Sequence, residues 1–175
     1  MSRTRSFRTL SSLVVAVAPS LVACSSPPGL QRPTDGVALE GDATQTQLSA
    51  FLQREAKEWA WAGGQFDAPD DRATLAASAP QTFSWHADPA DFAEGDAPGD
   101  VVMTHLLEFS ANQSSKVLRV FTTLPQYTPD TAAWQKLVAA HDPITVSLTT
   151  GSFVAADLPE DGGPFIGQAL AFTIE

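Results

Sequence analysis

The stretch that decides the fold is VVMTHLLEFSANQSSKVLRVFTT, residues 101–123. Its first half alternates with a period of two, which is typical of a β-strand with two different faces. One face carries Met103, His105, Leu107 and Phe109, and the other carries Thr104, Leu106 and Glu108. The polar run ANQSS follows, and then a second apolar strand, KVLRVFTT. Two such runs around a short polar turn predict a β-hairpin.

The same period recurs on both sides of this hairpin. It is found in QTFSWHA at 81–87, PITVSLTT at 143–150 and GQALAFTIE at 167–175. The residues predicted to point inward are Phe83, Trp85, Ile144, Val146, Leu148, Leu170, Phe172 and Ile174. Short alternating strands separated by turn signals predict a mostly β fold, and specifically an antiparallel β-sandwich over residues 80–175.

Two helices are predicted around these strands. The first spans about 45–61, with Thr44 and Gln47 as a capping box and Gly63-Gly64 as its stop. Residues 65–79 then form a linker, completing a helix-and-linker segment over 44–79. Its three aspartates are expected to be solvated: Asp67, Asp70 and Asp71.

The second helix lies in TPDTAAWQKLVAAHDP, residues 128–143. Thr128 is the predicted N-cap and Pro129 the first helical residue. Trp134, Leu137 and Val138 fall on one face, which indicates a short crossover helix packed over an end of the sandwich.

The N-terminus has the pattern of an export signal over residues 1–23. Three arginines precede the apolar run LSSLVVAVAPSLVA, which is shorter than the roughly 20 residues that a membrane span needs. Leu21-Val22-Ala23-Cys24 resembles the lipobox of bacterial lipoproteins. The resemblance implies cleavage before Cys24 and acylation of its thiol and new amino terminus, with palmitate-type chains holding the protein at a membrane.

A lipid anchor at Cys24 places the protein in the bacterial cell envelope. In a diderm organism, the neutral Ser25 favours the outer membrane over the inner one. Residues 24–43 are rich in Pro, Gly, Ser and Asp and are predicted to form a flexible tether.

The net charge of the protein excludes some classes of binding partner. The chain has 10 Lys and Arg against 20 Asp and Glu. Removing the three arginines of residues 1–23 leaves seven basic and 20 acidic residues, a net charge of −13. So acidic a protein is not expected to bind nucleic acid or anionic lipid surfaces.

Residues 80–175 resemble a fibronectin type III-like or immunoglobulin-like module of bacterial envelope proteins. The resemblance rests on Phe83-Ser84-Trp85, on the hairpin His105 to Phe121, on Tyr127-Thr128-Pro129 and on Phe172-Thr173-Ile174. It implies a tryptophan packed between two sheets. The sequence departs from the family in AAWQKLVAA, which is helical where many such modules continue as strand.

No catalytic signature stands out, and the sequence predicts a protein that is not an enzyme and needs no cofactor. It contains no H-E-x-x-H, no G-x-S-x-G and no phosphate-binding glycine loop. His105 lies in the apolar phase of a strand, which favours a hydrogen-bonded structural role. With Cys24 acylated, zinc has almost no ligand set.

One acidic stretch, HADPADFAEGDAPGD, is open to two interpretations. A solvated loop is favoured, because its spacing does not match an EF-hand loop. Calcium binding is the alternative, through the oxygens of Asp88, Asp91, Glu94, Asp96 and Asp100.

The leading functional hypothesis is a lipid-anchored, non-enzymatic interaction or structural module with an unidentified partner. The alternative is a carbohydrate-binding module at the cell surface, because aromatic rings can stack on sugars. The candidate stacking residues are Trp59, Trp61, Tyr127 and Trp134. For Trp134, packing is favoured over stacking.

Overall fold

The structure is a computed structural model, and it describes residues 34–58, 62–87, 101–111, 115–140 and 143–175. The fold of this part is mostly β, with ten strands and two helices. In chain order the elements are β1 (Val37–Glu40), α1 (Gln45–Leu52), β2 (Lys57–Glu58), β3 (Gln65–Ala68), β4 (Ala73–Leu75), β5 (Phe83–His86), β6 (Val101–Ala111), β7 (Ser115–Thr122), β8 (Gln126–Tyr127), α2 (Thr131–Val138), β9 (Ile144–Val154) and β10 (Phe165–Ile174).

The predicted hairpin lies in the middle of a seven-stranded sheet with the order β1-β7-β6-β9-β10-β2, and β4 also pairs with β10. Strands β6 and β7 pair antiparallel, from His105 opposite Thr122 to Ala111 opposite Ser115. On its other side β6 pairs with β9 along its whole length. The hairpin prediction is therefore confirmed.

The larger sheet is mixed: every described pair between two strands of residues 80–175 is antiparallel, as predicted for that range, but strands from residues 34–79 add parallel pairs that were not predicted. Strand β1 runs parallel to β7, and both β2 and β4 run parallel to β10. All three belong to residues 34–79, which the sequence analysis assigned to tether, helix and linker. A period-two pattern reports which face of a strand is buried and not its direction, and these strands are only two to four residues long.

A three-stranded antiparallel sheet, β3-β5-β8, packs on one face of the larger sheet. The Phe83 ring lies 5.1 Å from that of Phe109 and 5.3 Å from that of Phe172, measured between centroids. Trp134 and Leu137 of α2 complete this core cluster. The inward-facing residues predicted from the strands are all in or against this cluster, so that prediction is confirmed.

Helix α1 covers the opposite face of the seven-stranded sheet. Its apolar residues Leu48, Phe51 and Leu52 form a second core cluster with side chains from the sheet and from the 155–164 segment. The sheet and segment residues of this cluster are Leu106, Phe121, Phe153 and Leu158. Strand β6 is consequently buried on both faces near its middle, since Leu106 points into one cluster and Leu107 into the other.

Helix α1 begins as predicted and ends nine residues early. The Thr44–Gln47 capping box is present. Beyond Leu52, the Arg54 guanidinium donates hydrogen bonds to the carbonyls of Leu158 and Pro159. The chain then extends, and Lys57–Glu58 pairs with β10. Tertiary hydrogen bonding here overrides the helical spacing of the sequence.

The N-cap of α2 is Asp130, and the prediction of Thr128 is wrong. The Asp130 carboxylate accepts a hydrogen bond from the Ala133 amide at 2.7 Å. The Thr128 hydroxyl is instead 2.7 Å from that of Thr82, and Pro129 precedes the helix. A carboxylate is at least as good an N-cap as a hydroxyl, so the later start is physically reasonable.

Glycines allow two chain segments to cross at the edge of the larger sheet. A Cβ on Gly167 would lie 2.0 Å from the Gly63 carbonyl oxygen, and one on Gly63 would lie 2.1 Å from that of Ile166. The Gln168 amide donates to the Gly64 carbonyl at 3.0 Å. Only glycine permits this approach of backbone to backbone.

We predict that Gly167→Ala lowers the free energy of unfolding by about 3 kcal/mol, because the added methyl group forces the two segments apart. The control is Gly36→Ala, where φ is +75° and no atom lies within 4 Å of the added Cβ. Strain alone should cost about 1 kcal/mol there. Urea denaturation followed by circular dichroism measures both, and equal losses would contradict the prediction.

Candidate functional site

The seven-stranded sheet has two distinct ends. At the hairpin end β6 finishes at Ala111 and β7 begins at Ser115. At the far end β6 begins at Val101, which pairs with Val154 of β9. The 11 residues of β6 separate these ends by about 33 Å. Because β1 runs parallel to β7, the chain enters the fold from the side of the hairpin end.

The outer face of the three-stranded sheet, on the side of the fold that is far from α1, is polar. We call this surface the far polar face, and it comprises Gln65, Asp67, Ser84, His86 and Gln126. All but the half-buried Ser84 are exposed. The alternation of QFDA in β3 and FSWH in β5 produces it, because Phe66, Phe83 and Trp85 turn inward.

The strongest contact on this face joins His86 and Asp67. The His86 Nδ1 atom lies 2.7 Å from the Asp67 Oδ1 atom, and both side chains are more than half exposed. The carboxylate orients the imidazole ring and leaves its Nε2 atom directed elsewhere. Because both side chains are exposed, the pair adds little to the free energy of unfolding, and it is available for recognition.

A shallow open groove of about 360 Å³ adjoins the far polar face and shares Gln65 with it. Its other lining residues are Gly64, Ile166, Gly167 and Gln168. The Gln168 side-chain oxygen accepts a hydrogen bond from the Phe66 amide at 2.9 Å, which holds that side chain across the gap between the two sheets. Ile166 is 45% exposed and supplies an apolar surface in the groove.

This arrangement suits hydrogen-bonded recognition of a polar ligand. Amide, carboxylate and imidazole groups lie on one face beside an exposed aliphatic side chain. Among the described residues, no group of three or more His, Cys, Asp or Glu side chains could hold a metal ion. The groove is open to water, so it does not provide the dry environment that strengthens catalytic electrostatics.

Several predicted site residues lie outside the described residues. They are Cys24, Trp59, Trp61, Asp88, Asp91, Glu94, Asp96 and Asp100. The lipidation, calcium and tryptophan-stacking predictions for these residues therefore remain predictions.

Tyr127 and Trp134 are described, and both rings are buried. Trp134 is 1% exposed and donates a hydrogen bond from Nε1 to the Ala77 carbonyl at 3.1 Å, so the favoured packing role is confirmed. Tyr127 is 6% exposed and lies in the same core cluster. Neither ring offers a face to a sugar, which corrects their inclusion among the stacking candidates.

His105 is a buried structural histidine, as predicted. Its Nδ1 atom is 3.1 Å from the Thr150 hydroxyl, which donates its own proton to the Gly63 carbonyl at 2.9 Å. The hydroxyl must therefore accept from His105, which assigns the proton to Nδ1. Trp85 contacts the imidazole edge-on at 5.4 Å. Burial lowers the pKa of His105 to about 4.

The Asp67–His86 pair was not predicted from the sequence. Asp67 was expected in a solvated linker, whereas it lies in β3 opposite β5. The two-residue alternation of Gln65-Phe66-Asp67 was the available signal, although four residues are too few to distinguish a strand from a loop.

Comparisons with protein-family models, with curated proteins and with solved structures found no match to this chain. Neither helix of the described part of the chain is long and apolar enough to cross a membrane.

We predict that the protein loses stability as the pH falls from 6.5 to 4. In that range the unfolded histidine, with a pKa near 6.5, takes up a proton that folded His105 does not. The loss attributable to His105 approaches about 3 kcal/mol at pH 4. Urea denaturation at pH 7, 5.5 and 4.5 measures it.

His105→Gln should reduce the slope of stability against pH in this range, and the exposed His86→Gln is the matched control. Because carboxylates also titrate here, the quantity compared is the difference in slope between each variant and the wild type. An unchanged slope in His105→Gln would show that the histidine is not the source.

Proposed function

We propose that this protein is a lipid-anchored, non-enzymatic protein of the bacterial cell envelope, and that its folded body presents the far polar face to a partner. The observation that supports the proposal is the exposed Asp67–His86 pair on that face, with the His86 Nδ1 atom 2.7 Å from the Asp67 Oδ1 atom, beside an open groove.

The tether is shorter than the sequence analysis predicted, because β1 begins at Val37 and not after residue 43. Val37 is the thirteenth residue after Cys24, so a fully extended tether reaches about 45 Å. A lipid at Cys24 would thus let the folded body stand up to that distance from the headgroups.

The proposal includes a fibronectin type III-like or immunoglobulin-like sandwich as the type of module. Supporting it, two sheets share one core, with Trp85 packed between them against His105 and Phe66. The parallel pairs formed by β1, β2 and β4 are additions to the antiparallel pattern of such modules. Outer-membrane placement in a diderm organism remains part of the proposal through Ser25.

A glycan is the second candidate for the partner. The observation that favours it is the set of planar polar groups on the far polar face beside exposed Ile166, since sugars present both hydroxyls and apolar ring faces. Of the four aromatic residues that first suggested sugar binding, Trp59 and Trp61 remain as candidates.

We predict that Cys24→Ala releases the protein from the membrane fraction and abolishes palmitate labelling. Removing the thiol removes the acyl chains, whose buried methylenes contribute about 0.8 kcal/mol each to membrane binding. Globomycin should cause the unprocessed wild-type chain to accumulate. A Cys24→Ala protein that is still processed and membrane-bound would refute the anchor.

We predict that Asp67→Ala and His86→Ala each weaken glycan binding by about tenfold or more, because each removes a hydrogen-bonding group worth about 1.5 kcal/mol or more. The control is Asp157→Ala, an exposed aspartate near the far end whose backbone pairs with that of Val154. A glycan array screened with the wild type identifies the ligand, and tryptophan fluorescence gives affinities. Silence in both assays would remove the glycan and leave a protein partner.

A further inference from the structure

Strand β1 forms one edge of the seven-stranded sheet. It pairs with β7 on one side, and among the described residues no strand pairs with its other side. Ala38, Leu39 and Glu40 are exposed. In a parallel pair, every second residue directs its amide and carbonyl away from the neighbour. Among the described residues, the outer side of β1 therefore presents backbone donors and acceptors that have no strand partner, a surface that can accept an added strand. The Glu40 carbonyl accepts one hydrogen bond outside the sheet, from the Ala43 amide at 3.4 Å.

Two exposed leucines lie beside this edge. Leu39 is 38% exposed, and Leu124 is 45% exposed. Leu124 lies next to Gly41, the residue directly after β1, because a Cβ on that glycine would be 3.0 Å from the Leu124 Cγ atom. The described part of the chain has four exposed large apolar residues, and two of them, Leu39 and Leu124, are thus at β1.

The edge is also acidic. Asp35, Glu40 and Asp42 flank it and are exposed, and none forms an ion pair with another described residue. The negative charge of Glu40 acts on Tyr127 in the neighbouring core cluster. Burial, and then the charges of Glu40 and Asp130, raise the pKa of Tyr127 to about 12. We refer to Val37–Glu40 with Asp35, Asp42 and Leu124 as the β1 edge.

We propose that the β1 edge binds an extended, basic segment of a partner protein, which adds to the sheet as a further strand. Backbone groups of the edge would pair with the segment, the leucines would contact its apolar residues, and the carboxylates would attract its lysines or arginines. The inference deepens the proposed function by naming a class of partner. It does not depend on the lipid anchor.

A second copy of the chain fits this edge poorly. Each copy carries a net charge of −10, and pairing two β1 strands would bring their flanking carboxylates together. A four-residue edge also buries much less than the roughly 1,200 Å² of a stable interface. A basic peptide meets complementary charge and needs no such area to bind weakly.

The test uses the full-length chain in a neutral detergent and the fluorescein-labelled peptide acetyl-Val-Lys-Val-Lys-Val-Thr-amide. Fluorescence anisotropy should show saturable binding that weakens with added salt. The same peptide with Glu in place of Lys should not bind. Because adjacent amides of a strand point to opposite edges, N-methylation of the two central amides should weaken binding at least tenfold.

Glu40→Lys combined with Asp42→Lys should weaken binding of the lysine peptide by about tenfold, since two attractions become repulsions. The matched control is Glu160→Lys with Asp161→Lys, which changes the net charge equally in an exposed segment that contacts Lys57 of β2, at the edge of the sheet opposite β1. Circular dichroism verifies that both variants fold.

Three results would overturn the proposal. They are an absence of binding, equal binding after N-methylation, and equal loss in the two charge variants. Sedimentation equilibrium tests whether a second copy of the chain binds the β1 edge. A dimer that forms in the wild type and dissociates in Glu40→Lys/Asp42→Lys would assign the edge to a second copy instead. Membrane release of Cys24→Ala is measured separately, so failure here leaves the anchor unaffected.

Discussion

The structure depends on the burial of β6 between two hydrophobic clusters. Leu107 and Phe109 face the three-stranded sheet, while Leu106 faces α1. Eleven consecutive pairs with β9 lock its register. A slip of one residue would exchange the two faces and expose or crowd both clusters together. The placement of every other element, including the far polar face, follows from the two surfaces that β6 separates.

The two sheets are further connected, near the middle of β6, by a chain of polar contacts. Buried His105 donates to Thr150, and Thr150 donates to the Gly63 carbonyl. Gly63 itself crosses Gly167 at backbone distance. These contacts place β3 beside β10, and the Gln168 side chain then spans to the Phe66 amide. The groove beside the far polar face is thus the outer surface of a tightly packed crossing.

The sequence predicted the elements with strong periodicity and missed those without it. Alternation over the eight to eleven residues of β6, β7, β9 and β10 was long enough to identify the strands, and in β9 and β10 also their inner faces. Strands β1 to β4 are two to four residues long, and each pairs with a strand that does not follow it directly in the chain: β1 with β7, β2 and β4 with β10, and β3 with β5. The Asp67–His86 pair was missed for the same reason, because it exists only once β3 and β5 are neighbours.

The parallel alignment of β1 with β7 has a mechanical consequence. If Cys24 is fixed to a membrane and a partner pulls on the far end, the load passes from the tether into β1 along the axis of that strand. Its four residue pairs with β7 are then loaded in shear and must yield together. An antiparallel first strand entered from the far end would instead peel away one pair at a time. The fold is therefore attached to its tether in the direction that best resists extension.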